Sequence, residues 1–206
     1  GILIKNGESL EKGKIIHVMI FDKTGTLTMG KPSVTDVVSI SQSDETAVLQ
    51  LAASLEKLSE HPLAQAVVKA AKEKNLSLQE VHEFQNLAGK GVQGRVGDNL
   101  LMVGSPRLMK ELNISTADAE SKIIALESEA KTVVALARDN QVIGLIAIAD
   151  TIKPDAKEAI AALAKQGITT AMITGDNRRT GEAIAKELGI SQVLAEVLPQ
   201  DKANEV

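Results

Sequence analysis

Residues 16–28 read IHVMIFDKTGTLT. A β-branched, apolar run stops at Asp22 and Lys23 and gives way to a loop carrying Thr24, Gly25, Thr26 and Thr28. Residues 15–22 show no alternation of apolar and polar side chains, the pattern of a strand covered on both faces in a parallel sheet. An acid, a base and several hydroxyls at the carboxyl end of such a strand stand where open α/β sheets collect their ligands.

The same style returns near the other end of the chain. PDAKEAIAALAKQ (154–166) predicts a helix and ITTAMIT (168–174) a buried strand. RRTGEAIAKELG (178–189) predicts a helix ending on Gly189, and QVLAEV (192–197) a further strand. This is the alternation of a parallel sheet with crossover helices. Between these ends the style differs. TMGKP (28–32) reads as a linker and SVTDVVSIS (33–41) as a strand. Apolar residues at Val48, Leu51, Ala52, Leu55 and Leu58 predict a helix over 44–58, and a second helix runs from Pro62, at its favoured first position, to Lys74. A glycine-punctuated stretch over 83–105 with a GDN turn suggests antiparallel hairpins. A helix near 117–130 and a hairpin over 132–149, turning on Asp139 and Asn140, complete the region. The fold class expected is α/β: a doubly wound parallel sheet, incomplete, interrupted by an inserted α+β domain with an antiparallel sheet. The expected boundaries are 1–32, 33–148 for the insert, and 149–206. Linkers at Gly30–Pro32 and Asp150–Pro154 would form a two-stranded hinge.

Composition narrows the function classes. The chain has 206 residues, 44% apolar, enough for one large or two modest cores. A net charge of −4 gives no broad basic surface, so binding to nucleic acid is not expected. There is no cysteine, which excludes disulfides and thiolate metal sites within these residues. Phe21 and Phe84 are the only aromatic residues, so a nucleobase would have to be held by something else. No apolar run approaches the roughly 18 residues of a membrane span.

Three polar clusters stand at three strand ends: Asp22-Lys23-Thr24-Gly25-Thr26, Thr174-Gly175-Asp176, and Pro199-Gln200-Asp201-Lys202. A carboxylate can attack phosphorus and become an acyl phosphate. Attack on an anion requires its charge to be neutralised by lysine, by threonine and backbone donors, and usually by Mg²⁺. Asp22 is therefore the candidate nucleophile, with the base Lys23 and the loop hydroxyls managing charge, and Thr174 and Lys202 holding phosphoryl oxygens. Asp22 and the carbonyl of Thr24 are the candidate Mg²⁺ ligands, since that ion wants oxygen donors. The plainer alternatives are a turn cap for Asp22, a helix cap for Thr174 and a solvated lysine for Lys202.

FDKTGTLT resembles the phosphorylation signature of P-type ATPases, within the haloacid-dehalogenase-like superfamily. ITGDN (173–177) and LPQDK (198–202) are similar to the next two motifs of that family, in the same order along the whole chain. In soluble phosphatases of the superfamily an aspartate that speeds hydrolysis stands two residues after the nucleophile; here that position is Thr24. The resemblance thus implies a lasting phosphoenzyme, as a pump needs. SEHPLAQAV (59–67) and AGKGVQG (88–94) resemble the nucleotide-binding domain of heavy-metal-transporting members. This implies an ATP site in which His61 lies on adenine, Glu60 accepts from the adenine amino group, and Gly89, Lys90 and Gly91 let backbone approach the ligand. A helix cap for His61 and plain hairpin turns for the glycines are the alternatives. Gly104 and Ser105 occupy a position where the family often has Gly-Asn; the Ser-Pro form resembles the zinc and cadmium branch. Asp150 and Lys153 match the family's hinge motif, either closing the insert onto Asp22 or serving as a structural linker. Thr180-Gly181-Glu182 spells the actuator-domain motif but lies in an expected helix, and reads as ordinary helix surface.

The resemblance implies the cytoplasmic ATP-handling part of a membrane pump, ending before the Gly-Asp-Gly and Asn-Asp loop, with GILIKNGESLE similar to an exit from a membrane helix. ATP and Mg²⁺ are the expected cofactors. The membrane and actuator domains of the same pump are the expected partners, and the chain itself is expected as a monomer. Copper(I) is the first expectation for the cargo, with zinc, cadmium or cobalt second. A soluble phosphatase, a module that only binds nucleotide and a nucleotide-free scaffold are the readings from other classes.

Overall fold

The computed structural model describes residues 16–40, 44–87, 91–197 and 201–202. In chain order the strands are β1 (Val18–Asp22), β2 (Ser33–Ser39), β3 (His82–Leu87), β4 (Gly91–Val96), β5 (Asn99–Gly104), β6 (Thr132–Arg138), β7 (Gln141–Ala149), β8 (Thr169–Ile173) and β9 (Gln192–Leu194). The helices are α1 (Glu45–Glu56), α2 (Pro62–Glu73), α3 (Pro106–Glu111), α4 (Glu120–Ser128), α5 (Ala156–Lys165) and α6 (Arg178–Leu188). They divide into two compact units. Among the described residues, one comprises 16–28 together with those from Ile152 onward; the other comprises those of Met29–Thr151.

The first unit carries a parallel sheet of order β1-β8-β9. Helix α5 precedes β8 and α6 joins β8 to β9, so each parallel neighbour is reached through a crossover helix. Met172 and Ile173 of β8 are buried, as is the inner face of α6 through Ile184, Ala185 and Leu188. Gly189 ends α6 in the left-handed conformation, with φ 78°, which costs a residue without Cβ nothing. Strand β1 departs from expectation. Among the described residues it pairs only with β8, and Val18 is 51% exposed, so the apolar run is half-covered rather than enclosed on both faces. Strand β9 is also shorter than the apolar stretch 192–197 suggested, because Glu196 turns the chain at φ 62°.

The second unit is a six-stranded antiparallel sheet of order β2-β7-β6-β5-β4-β3. It has a core on each face. Val134 and Leu136 of β6 face Val48, Leu49, Ala52 and Leu55 of α1, while Val133, Ala135 and Ala137 belong to the cluster with Met109, Ile123 and Leu126 from α3 and α4. Alternate residues of one strand thus feed opposite cores, which is why the sequence of this hairpin is apolar without interruption. Gly144 of β7 lets α1 approach closely: a Cβ there would stand 2.7 Å from Cγ2 of Val48, with Cγ1 nearer still. Two expectations shift. The helix expected over 117–130 begins as a 3₁₀ turn, Ala117–Ala119, before α4. Leu58, expected on the buried stripe of α1, is 48% exposed because the helix ends at Glu56.

The two chain crossings between the units run side by side. Thr28 and Ile152 form an isolated antiparallel bridge, and the amide of Met29 donates to the carbonyl of Thr151 at 2.8 Å. The Asp150 carboxylate accepts from the amides of Gly30 and Lys31, at 3.0 and 2.9 Å. No helix among the described residues is long and apolar enough to cross a membrane.

Candidate functional site

In the first unit, strand register assembles the polar groups. Asp22, the last residue of β1, lies opposite Ile173, the last of β8, so Thr174 leaves the sheet beside it. The amide of Thr174 donates to Leu194 at 2.9 Å and its carbonyl accepts from Val197 at 3.1 Å, which ties the segment after β9 to the same edge. After Asp22 the chain makes a tight reversal. Thr24 (φ −76°, ψ 120°) and Gly25 (φ 76°, ψ −11°) have the central dihedrals of a type II turn, whose second position needs glycine. The hydroxyl of Thr28 donates to the carbonyl of Lys23 at 3.1 Å and accepts from the amide of Gly25 at 3.3 Å. Lys153 holds the loop from outside, its ammonium donating to the carbonyl of Gly25 and its amide to that of Leu27, both at 2.9 Å.

The charges sort into two pairs. The ammonium of Lys202 is in contact with Oδ1 of Asp22. Lys23, next to Asp22 in sequence, turns away from it: its ammonium pairs with Oδ2 of Asp176 at 2.5 Å, with both side chains 11% exposed. The same Asp176 oxygen accepts from the hydroxyl of Thr174 at 3.2 Å, and that hydroxyl accepts from the amide of Asp176 at 3.1 Å. Thr174 is 2% exposed, so its orientation is set by the network and not by water. Gly175 lies between these two residues, with a Cβ there 3.5 Å from the carbonyl of Val197, an ordinary contact. The Thr180-Gly181-Glu182 run is a correction to the sequence reading. Thr180 is fully buried, donating its amide to Oδ1 of the capping Asn177 at 3.0 Å, and Gly181 packs against Val193; only Glu182 is surface.

Asp22 and the loop after it carry oxygen donors of the kind a hard cation accepts, while no group of three or more acidic or histidine side chains gathers among the described residues. Oδ2 of Asp22 has no partner among the described residues, and the carbonyl of Thr24 belongs to the same loop; a carboxylate and a carbonyl oxygen are ligands that Mg²⁺ accepts.

The second unit holds the other candidates. His61 caps α2: its Nδ1 accepts from the amide of Leu63 at 3.2 Å, and Pro62 occupies the first helical position. Partial burial of the ring lowers its pKa below the ordinary imidazole value. Glu60, beside it, is exposed. Gly91 and Gly104 are register partners across β4 and β5. A Cβ on Gly91 would collide with the carbonyl of Val103 and stand 2.9 Å from Cα of Gly104, so this glycine has a packing reason whatever it binds. Ser105 caps α3, its hydroxyl accepting from the amide of Leu108 at 3.2 Å. Gly89 and Lys90 lie outside the described residues.

One titratable group escaped the sequence reading. Glu56, at the end of α1, is 9% exposed, and burial pushes its carboxyl up to about 7, offset in part by a hydrogen bond from Ser59. The signal was present: Glu56 continues the i, i+4, i+8 stripe from Val48 and Ala52, and a carboxylate on a core-facing stripe is informative.

Residues 16–205 match the model of the haloacid dehalogenase-like hydrolase family. The chain is 48% identical over its whole length to a probable copper-exporting P-type ATPase of Archaeoglobus fulgidus, covering 25% of it. It is 46% identical to a copper-exporting P-type ATPase of Staphylococcus haemolyticus, again over all of this chain and 25% of that one. The chain therefore spans about a quarter of the length of these relatives. Among solved structures it resembles the catalytic domain of the CPx-ATPase CopB-B, with a TM-score of 0.71 and 31% identity, over 99% of this chain and 70% of that one. It also resembles a zinc-transporting PIB-type ATPase in its E2.Pi state, with a TM-score of 0.66 and 38% identity, over 99% of this chain and 33% of that one.

Proposed function

The chain belongs to the haloacid dehalogenase-like hydrolase family, and from that premise we propose that it is the ATP-binding and aspartyl-phosphorylation portion of a P-type ATPase that exports copper(I) across a membrane. The observation that carries this is the grouping at the strand ends: Asp22 against Lys202, buried Thr174 just past the end of the neighbouring strand, and Thr24 where a hydrolysing aspartate would otherwise stand.

Asp22 attacks the γ-phosphorus of ATP through a carboxylate oxygen. The new O–P bond forms an acyl phosphate as the bond to the β-phosphate oxygen breaks, and ADP leaves with that electron pair. Lys202 orients Asp22 and then neutralises the phosphoryl oxygens, while the hydroxyl of Thr174 turns its one proton from Asp176 to one of them. Mg²⁺, held by Asp22 and the carbonyl of Thr24, would shield the charge of the incoming phosphate. Lys23, spent on Asp176, fixes the geometry of the Thr174 loop and does not meet phosphate itself. Thr24 has no proton-accepting carboxylate to offer a water, so the acyl phosphate persists. In the second unit, His61 provides a flat face for adenine, Glu60 accepts from its amino group, and the backbone from Gly89 through Lys90 to Gly91, with Gly104 and Ser105, lies along the nucleotide. The membrane and actuator domains of a full-length pump complete the partners, and this chain is part of that pump's cytoplasmic portion.

Copper is favoured because the relatives at 46–48% identity are named as copper exporters. Ser105-Pro106 and 38% identity to a zinc-transporting ATPase support zinc, cadmium or cobalt as the second reading. The test is a calorimetric titration of a non-hydrolysable ATP analogue into wild type and His61→Gln. Saturable binding that weakens several-fold in the variant is expected; binding indifferent to His61 would remove the adenine site. In the full-length protein, turnover stimulated by copper(I) and abolished by Asp22→Asn is expected, and stimulation by zinc alone would replace the cargo.

A further inference from the structure

We propose that Lys153 is a positioning residue of the phosphorylation loop, a role that rests on the reading of Asp22 and Thr24 given above. Its ammonium, together with the hydroxyl of Thr28, clamps the two peptides that flank Gly25 and so keeps the carbonyl of Thr24 turned as a Mg²⁺ ligand. Gly25 is the loosest joint of the loop. A residue without Cβ adopts either sign of φ, and a Cβ there would meet nothing within 4 Å, so no packing beyond its chain neighbours holds it. The ψ of Thr24 (120°) and the φ of Gly25 (76°) define a type II turn. Turning over the peptide between them gives a type I turn, in which these angles are about −30° and −90° and which both residues can also adopt. That rotation swings the Thr24 carbonyl to the opposite side of the turn, and a cation held by it would lose a ligand.

Two side chains act on the peptides around this joint. The amide of Gly25 shares a peptide with the carbonyl of Thr24, and it donates to the hydroxyl of Thr28 at 3.3 Å. Thr28 is 1% exposed and gives its own proton to the carbonyl of Lys23, so it meets Gly25 through a lone pair. The carbonyl of Gly25 belongs to the next peptide and takes the ammonium of Lys153 at 2.9 Å, from 128 positions further along the chain. With one peptide held by its N–H and the other by its C=O, both dihedrals of Gly25 are set from outside the glycine. Lys153 is itself anchored: its amide donates to the carbonyl of Leu27 at 2.9 Å, and its carbonyl accepts from the amide of Ala156, at the start of α5, at 3.1 Å. Lys23 and Lys202 each answer a carboxylate, Asp176 and Asp22, whereas among the described residues the ammonium of Lys153 has no carboxylate partner and is given to a carbonyl. A hydrogen bond from a charged donor is stronger than one between neutral groups. Because this bond is exposed, its removal leaves no buried polar group unsatisfied, and the fold is expected to survive the loss.

The experiment titrates Mg²⁺ into the 206-residue chain and follows the amide NMR signals of Gly25 and Thr26 in wild type, Lys153→Met, Lys153→Arg and, as reference, Asp22→Asn. Lys153→Met, which keeps an unbranched stem without the charge, is expected to raise the Mg²⁺ concentration at half-saturation several-fold and to speed hydrogen exchange of the Gly25 amide. Its affinity for the ATP analogue in the absence of Mg²⁺ stays at the wild-type value. Lys153→Arg, which keeps a charged donor, restores both properties of the loop. Wild-type half-saturation in Lys153→Met, with the response lost in Asp22→Asn, overturns the positioning role alone. A weakened response that arginine does not restore overturns it too, since the donor is then not what matters. No saturable response in wild type, or one indifferent to Asp22→Asn, overturns the cation reading of Asp22 and Thr24 and the role of Lys153 with it. If Lys153→Met does not fold by circular dichroism, Lys153→Ala replaces it under the same criteria.

Discussion

Replacing Glu56 by glutamine should change how the stability of the second unit depends on pH. In the folded protein burial pushes the carboxyl from its ordinary 4.5 up to about 7. The folded state therefore binds a proton more tightly than the unfolded chain does. The stabilisation from that proton is complete below pH 4.5 and is lost as pH rises through about 7. The gap between the two values corresponds to about 3 kcal/mol, taken as an order of magnitude. Glutamine has nearly the shape of the protonated acid and does not titrate, so wild type and Glu56→Gln should be of similar stability near pH 5. At pH 8 the variant should be more stable by about 2–3 kcal/mol. The chain has no tryptophan or tyrosine, so urea unfolding is followed by circular dichroism at several pH values, with amide NMR signals of α1 assigning the transition to the second unit. The difference between the two proteins isolates this carboxyl from every other group that titrates. A difference that stays constant from pH 5 to pH 8 would refute both the burial argument and its sign.

Two further perturbations probe the scaffold. Gly144→Ala should destabilise the second unit by about 1–3 kcal/mol, because the new Cβ meets both methyl groups of the fully buried, β-branched Val48; equal urea midpoints for variant and wild type would show that α1 can move aside. Lys23→Met should cost the first unit about 3–5 kcal/mol by leaving Asp176 without its ammonium partner, and adding Asp176→Asn should recover part of that loss; additive losses in the double variant would deny the coupling.

Much of both units was legible in order along the chain. The hairpin of β6 and β7 was written in an unbroken apolar run around Asp139 and Asn140, α6 in its stripe and its terminal Gly189, and the polar loops in the sharp change of composition after Asp22 and Ile173. These are local signals: periodicity, turn chemistry and the rule that ligand groups gather at the carboxyl ends of parallel strands. The direction of a charged side chain is not local. Lys23 and Lys202 are equivalent as letters, and Lys23 is the one adjacent to Asp22. The turn at Thr24-Gly25 and the register of β8 send Lys23 to Asp176, which leaves Asp22 to Lys202, 180 positions away along the chain. Glu56 shows the same limit. Its stripe position was readable, but only the packing of α1 into the second unit removes its water and moves its pKa. Likewise Gly91 and Ser105 could be read as ligand contacts from sequence, whereas a strand pairing and a helix cap give each a structural reason of its own. Composition and order along the chain therefore determined which elements form and which residues carry chemistry. Which charge meets which was decided by tertiary structure, because pairing and desolvation depend on distances that strand register and helix packing set.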